Sequence, residues 1–162
     1  MREKILRILQ KNSRLSNADI AAMTGLSEQE VADEIKELED RKIINGYQAI
    51  VNWENFDEDK VTAIIGVKIS PIRGQGFDRI AERISRFEEV DSVVIISGSS
   101  SDLLLTIEGT SMKDISQFVY DKIAPMESVV STATYFVMKK YKDHKILFTE
   151  EQGVDERIQV MP

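Results

Sequence analysis

Residues 16–40 read SNADIAAMTGLSEQEVADEIKELED, and the punctuation of this stretch decides how the first part of the chain is built. Ser16 followed by Asp19, and Ser27 followed by Glu30, are two capping boxes, each opening a helix whose acidic side chain can reach back to the cap's N–H. Gly25 stands between them, where a helix C-terminus calls for a residue that tolerates positive φ. The first of these helices carries Ile20, Ala21 and Met23. The second carries Val31, Ile35 and Leu38, the i, i+4, i+7 stripe of a core-facing helix. Upstream, Ile5, Leu6, Ile8 and Leu9 lie at helical spacing among Arg2, Lys4, Arg7 and Lys11, so a third helix precedes the pair and ends near 12–14. Three short helices with a tight Gly turn form a helix-turn-helix unit. Downstream, Asn45-Gly46 between apolar residues is a hairpin signal, which predicts a small wing strand over 44–51.

Charge cuts across this pattern. The second capped helix holds Glu28, Glu30, Asp33, Glu34, Glu37, Glu39 and Asp40 against one base, Lys36. A helix meant for the major groove would carry these carboxylates toward phosphates, although most can equally form a solvated face. Bases at Lys11, Arg14, Arg41 and Lys42 stand at helix ends and beside the expected wing.

Residues 52–60, NWENFDEDK, read as a connector with Trp53 and Phe56 available to dock. The pattern then changes. Val61–Ile69 alternates as a strand; 77–87 carries Ile80, Ile84 and Phe87 on one helical face; 90–97 is β-branched; 103–108 is a further strand; 112–123 has Ile115, Val119 and Ile123 four apart; and 129–138 is a long β-rich run. Strand, helix, strand, strand, helix, strand is the ferredoxin-like βαββαβ order, with two helices on one face of an antiparallel sheet. The other face is apolar enough to need cover, which predicts a homodimer packed sheet on sheet. The fold class is thus α+β: an N-terminal winged helix-turn-helix over 1–51, a linker over 52–60, a ferredoxin-like domain over 61–147 and a tail over 148–162.

The 162 residues are 42% hydrophobic and 30% charged, with a net charge of −7, no Cys and a single His, His144. Such a chain folds, holds no apolar run of membrane-spanning length and is expected in the cytoplasm. Thiolate metal sites, iron–sulfur clusters and Cys nucleophiles are excluded, as are multi-His metal sites, so neither an enzyme nor a cofactor is expected. The net charge splits as −1 for 1–50, −3 for 51–60 and −3 for 61–162. Global acidity therefore does not by itself exclude DNA. Gly74-Gln75-Gly76 lacks the remaining residues of a phosphate loop and reads as the turn before a helix. The tail, acidic and then mildly strand-like over 157–161, is expected to be disordered, with an edge strand on a partner subunit as the alternative.

In sequence, REKILRILQKNSRLSNADIAAMTGLSEQEVADEIKELEDRKIINGYQAIVN resembles the helix-turn-helix of the leucine-responsive regulatory protein and AsnC (Lrp/AsnC) family of transcription regulators. The stretches VTAIIGVKI, ISGSSSDLLLTIEGT and VVSTATYFVMKKYK resemble that family's amino-acid-binding domain. The resemblance implies a cytoplasmic homodimer that assembles further into tetramers or octamers, binds double-stranded DNA and responds to an amino acid or related effector held between dimers. It places the effector loop at Ser97-Gly98-Ser99-Ser100-Ser101-Asp102, where N–H groups and hydroxyls suit a carboxylate and Asp102 suits an ammonium. The loop departs from the family pattern in having one more residue before Asp102 and no aromatic. Thr132 and Thr134 match positions near that pocket. With Asp33, Glu34 and Glu37 where relatives carry non-acidic residues, DNA reading falls to Ser16, Asn17, Ser27, Gln29, Lys36, Arg41 and Lys42. The alternative is a sensor or assembly module of the same architecture with weak or lost DNA binding. A third reading rests on haem-pathway decarboxylases that share this two-domain architecture; they rely on several His and Arg residues, and here only His144 is present.

Overall fold

The computed structural model describes residues 1–56, 60–70 and 76–148. The chain divides into two compact units, Met1–Ala49 and Ile50–Pro162. In the first, α1 (Arg2–Lys11), α2 (Asn17–Thr24) and α3 (Glu28–Asp40) surround a core of Ile5, Leu9, Ile20, Ala21 and Val31. Both capping boxes form as the sequence predicts, and Gly25 takes φ 81°, closing α2 with its N–H on the Ala21 carbonyl. The half-buried Ile8, Leu15, Leu26, Ile35 and Ile44 seal the edges of this core.

The expected wing strand is not formed: residues 45–52 run without regular pairing. The residues that would start the hairpin are spent on closing α3. Lys42 adopts φ 57°, and the N–H groups of Ile43 and Ile44 both donate to the Leu38 carbonyl, at 2.9 and 3.1 Å. Asn45 turns its side-chain amide back to the Lys42 carbonyl instead of entering a two-residue turn with Gly46.

The second unit has a four-stranded antiparallel sheet in the order β2-β3-β1-β4, built from β1 (Val61–Ile69), β2 (Val90–Ile95), β3 (Leu103–Gly109) and β4 (Val129–Phe136). Helices α4 (Phe77–Ile84) and α5 (Met112–Phe118) cover one face. Ala63, Ile65 and Val67 of β1 and Leu103, Leu105 and Ile107 of β3 point into that layer, fully buried against Ile80, Ile84, Ile115, Phe118 and Ile123. Each such aliphatic side chain contributes about 1.5–3 kcal/mol on leaving water. Phe87 and Phe118 meet edge to face at 5.4 Å at the edge of this core. α5 ends in a wider π turn, Val119–Ile123, with the Ala124 N–H on the Val119 carbonyl.

The opposite face lies open. Register places Ile64, Gly66 and Lys68 of β1 beside Leu104 and Thr106 of β3, Val94 of β2, and Ala133 and Tyr135 of β4. Ile64, Val94 and Tyr135 are 39, 51 and 63% exposed, an apolar row on a face that no other element among the described residues covers.

Two features depart from the sequence reading. A short hairpin, β5 (Lys142–Asp143) and β6 (Ile146–Leu147), follows the sheet, turning on His144 and Lys145 with φ of 43° and 73°. These are the conformations of a two-residue hairpin turn, occupied here without the Asn or Gly that would have signalled it. The described residues of the connector also take defined structure. Trp53–Asn55 forms one 3₁₀ turn, Trp53 packs edge to face on Phe56 at 5.9 Å and under the Lys60 ammonium at 4.5 Å, and Asn52 Nδ2 donates to the Phe148 carbonyl. Of Gly74-Gln75-Gly76 only Gly76 is described, as the residue before α4, and the tail from 149 lies outside the described residues.

Candidate nucleic-acid interface and effector loop

On α3, at about 100° per residue, Val31 and Leu38 mark the buried direction and Gln29, Asp33, Lys36 and Asp40 fall on the opposite, outward stripe. Glu30, Glu34 and Glu37 stand at i, i+4, i+7 on one flank. That flank faces α1, and Arg2 meets it there: Nε is 2.5 Å from Glu34, and a terminal guanidinium nitrogen is on Glu37. Arg41 adds a second contact to Glu37 at 3.4 Å. The Glu34 hydrogen bond is the main reason the Arg2 guanidinium is held above its usual pKa. Glu30 is committed to the Ser27 cap, whose backbone N–H and then hydroxyl hold its carboxyl below the usual range. Glu39 accepts from the Tyr47 hydroxyl at 2.8 Å. The seven acids of α3 are therefore not one uncompensated field. The outward stripe itself holds two acids and one base.

The residues expected to read DNA are dispersed over this unit in unequal states. Ser16 and Ser27 are the N-caps of α2 and α3, and both hydroxyls already accept from an N3 N–H and donate to its carboxylate. Asn17 is exposed at the start of α2. Gln29 donates to Asp33 at 3.0 Å, leaving its amide oxygen for another partner. Lys36 lies exposed on the outward stripe, and Arg41 and Lys42 close the helix. Arg2 was missed because its partners are 32 and 35 residues away.

At the far end of the open sheet face, the loop from Ser97 to Asp102 joins β2 to β3. Ser97, Gly98, Ser99 and Ser100 are exposed, whereas Ser101 is only 8% exposed. Its hydroxyl lies where a Cβ on Gly66 would stand, so only glycine at that position of β1 lets the loop approach. Asp102 is bound on every side. Its N–H donates to Val67, and its carbonyl accepts from Ile96. Of its carboxylate oxygens, Oδ2 accepts from the Ile69 N–H at 2.8 Å, and Oδ1 accepts from the Lys68 ammonium at 3.0 Å. These donors, the Ile69 N–H above all, hold the Asp102 carboxyl below the usual carboxylate range. They do so where the β1–β4 register shifts between Lys68 and Ile69.

Ser101, Asp102, Gly66 and Lys68 thus converge, and Thr134 does not join them. It pairs with Ile65 on β1, half-buried on the helix-covered side, as Thr132 does opposite Val67. Gly66 and Lys68 carry no local signal for the loop, which lies more than thirty residues further along the chain. His144 is exposed on its hairpin turn, 2.8 Å from Asp143. Among the described residues, no cluster of three His, Cys, Asp or Glu side chains could hold a metal, and no helix is long and apolar enough to cross a membrane.

Comparison with known proteins gives both units a counterpart. Residues 3–39 match the AsnC-type helix-turn-helix domain, and residues 62–147 match the Lrp/AsnC ligand binding domain. The chain belongs to the Lrp/AsnC family. It is 47% identical over 161 residues to the HTH-type transcriptional regulator YugG of Bacillus subtilis, covering 98% of this chain and 95% of that protein. It is 30% identical over 146 residues to the leucine-responsive regulatory protein of Haemophilus influenzae, covering 89 and 86%. Among solved structures it resembles a transcriptional regulator from Neisseria meningitidis in complex with L-Met, at TM-score 0.66 and 30% identity over 88 and 90% of the two chains. The Lrp/AsnC chain described here is accordingly a transcriptional regulator with a ligand-binding domain, and its relatives are not enzymes.

Proposed function

We propose that this Lrp/AsnC regulator binds double-stranded DNA through α2 and α3 and adjusts that binding to an amino acid or related zwitterion held by the Ser97–Asp102 loop. The observation that carries the DNA half is the pairing of Arg2 with Glu34 and Glu37, which draws the flanking acids of α3 into the protein's own ion pairs. Ser16, Asn17, Ser27, Gln29, Lys36, Arg41 and Lys42 then form the reading and phosphate-contacting set. Ser97, Gly98, Ser99, Ser100, Ser101 and Asp102 form the effector loop. The Neisseria relative's complex with L-Met supports the class of effector. Thr134 belongs to the set only if a second chain or a rearrangement brings it to the loop.

The exposed Ile64, Val94 and Tyr135 support a homodimer closed over the open sheet face. Further assembly of dimers into tetramers or octamers would let several weak heads act together on one DNA, in the cytoplasm where that DNA lies. Asp33 and Asp40 on the outward stripe favour a second reading, a sensor whose DNA affinity is small.

A mobility-shift series on the protein's own upstream region, repeated across salt and with each amino acid, tests the proposal. A shift that weakens steeply with salt is expected. No shift at low salt would leave the sensor reading, and sedimentation showing a stable monomer at micromolar concentration would remove the dimer.

A further inference from the structure

Four features meet at the end of the open sheet face. The Lys68 ammonium sits 3.0 Å from Asp102 Oδ1, with its side chain 35% exposed and the Asp102 side chain 16% exposed. Asp102 Oδ2 is tied to the Ile69 N–H. Ser101 is more than nine-tenths buried, with its hydroxyl held against β1 at Gly66. Gly66 leaves that hydroxyl its space. A primary ammonium on a carboxylate, with a serine hydroxyl beside it, is the arrangement expected around the α-ammonium of an amino acid.

We infer that Lys68 is an internal occupant of the effector's ammonium position, so that an amino acid must displace its side chain from Asp102 Oδ1 in order to bind. The inference rests on the effector reading of the Ser97–Asp102 loop and adds a residue to it that sets the loop's affinity. The chemistry is an exchange of one N⁺–H···O⁻ bond for another. The Ile69 N–H remains on Oδ2 throughout, so the loop keeps its anchor while the ligand changes places with the lysine. The Lys68 side chain can leave because its ammonium is not enclosed: once displaced, it returns to water on a flexible four-carbon stem. The cost of displacement is that of a single partly exposed ion pair whose carboxylate keeps its other donor, and this makes Lys68 an attenuator of affinity and not a block. It also selects for ligands carrying a positive nitrogen. A carboxylic acid without an ammonium gains nothing from Asp102 and finds the oxygen already taken.

The experiment is calorimetric titration of the full-length protein and its Lys68→Met and Lys68→Arg variants with each standard amino acid, L-methionine first, and with the N-acetyl derivative of any that binds. Lys68→Met should tighten binding of the free amino acid about two- to fivefold, the worth of a single partly exposed pair. Lys68→Arg, which keeps a cation on Asp102, should stay near wild type, and the N-acetyl compound should show no gain. Unchanged thermal melting of the unliganded variants would show that the sheet end is intact. Weaker binding in Lys68→Met would overturn the inference, because Lys68 would then be holding the ligand's carboxylate. An equal gain for the N-acetyl compound would also overturn it. If wild type binds an amino acid and Lys68→Met does not change the affinity, only this inference falls. If neither protein binds any amino acid, the effector reading falls with it, and DNA binding is judged separately by the mobility shift.

Discussion

The helix-turn-helix unit and the sheet unit silence an acid in the same way and to different ends. In the first, Arg2 reaches from α1 to Glu34 and Glu37 on the flank of α3. In the second, Lys68 reaches from β1 to Asp102 at the end of β3. The Arg2 pair lies beside the outward stripe and clears charge away from it. The Lys68 pair lies inside the candidate site and fills it. The difference follows from what else holds the acid. Glu34 and Glu37 are fixed by their helix and could stand free, whereas Asp102 is also hydrogen-bonded to β1 and carries part of the sheet's end. The acids of the first pair are an electrostatic matter, whereas Asp102, through the Ile69 N–H, is part of the framework whether or not Lys68 is on it.

The comparison breaks first, and by the largest margin, on deletion of the acids themselves. Asp102→Ala leaves the Ile69 N–H and the Lys68 ammonium without their partner at the β1–β4 register shift. Thermal melting of the sheet unit should fall by several degrees. Glu34→Ala removes an acid whose helix is capped and packed without it, and the melting temperature should hardly move. Equal effects would mean that Asp102 is no more structural than Glu34.

Acid should separate the two units less sharply. The Asp102 carboxyl is held low by the Ile69 N–H and then Lys68, and Asp19 and Glu30 are held low by their Ser caps. A carboxyl with a depressed folded-state pKa adds stability that is present above its unfolded value, about 4, and is lost as pH falls through the folded value. Both units should therefore lose stability below about pH 4, and the Asp102→Asn variant should show a shallower loss in the sheet unit alone. Circular dichroism melts across that window measure it. A variant as acid-sensitive as wild type would remove Asp102 from the account.

These contrasts also mark which features the sequence makes legible. The capping boxes at Ser16 and Ser27, the Gly25 turn and the βαββαβ order are written in short spacings, and the structure carries all of them. The wing over 44–51 failed because Asn45-Gly46 competes with a helix end that needs the same residues, and Ile43 and Ile44 go to the Leu38 carbonyl. The hairpin turn at His144-Lys145 gave no signal, since its residue types rarely adopt positive φ. The candidate sites divide along the same line. The Ser97–Asp102 loop is contiguous and could be found. Lys68 and Arg2 act across 34, 32 and 35 residues, and nothing in a linear pattern ties a base to an acid at that range.

Ser27→Ala probes the helix-turn-helix side alone. The Ser27 hydroxyl accepts from the Glu30 N–H and donates to its carboxylate, so both halves of the box are lost together. A cap of this type is worth about 1 kcal/mol, read as a lower denaturant midpoint with an unchanged slope. The sheet unit's transition should not shift. If it does, the two units do not unfold independently.

The smallest effect bears most directly on what the Arg2 pair is for. Arg2→Gln frees Glu34 and leaves Glu37 only its 3.4 Å contact with Arg41, while Gln29, Asp33, Lys36 and Asp40 stay in place on the outward stripe. Duplex DNA brought to that stripe would then meet one uncompensated carboxylate, Glu34, and one less fully paired, Glu37, near its phosphates. Affinity in a mobility shift at low salt should fall a few-fold, and the difference should shrink as salt rises, because the Debye length contracts from about 10 Å at 0.1 M to about 3 Å at 1 M. Adding Glu34→Gln to Arg2→Gln should recover part of the loss, since it removes the freed Glu34 charge without restoring the arginine. That recovery distinguishes an electrostatic role from a packing role: if Arg2 served only to pin α1 to α3, the double variant would bind no better than the single one. The corresponding test in the sheet unit runs the other way, with Lys68→Met raising ligand affinity where Arg2→Gln lowers it. The opposite signs are what a pair beside a binding surface and a pair within one must give.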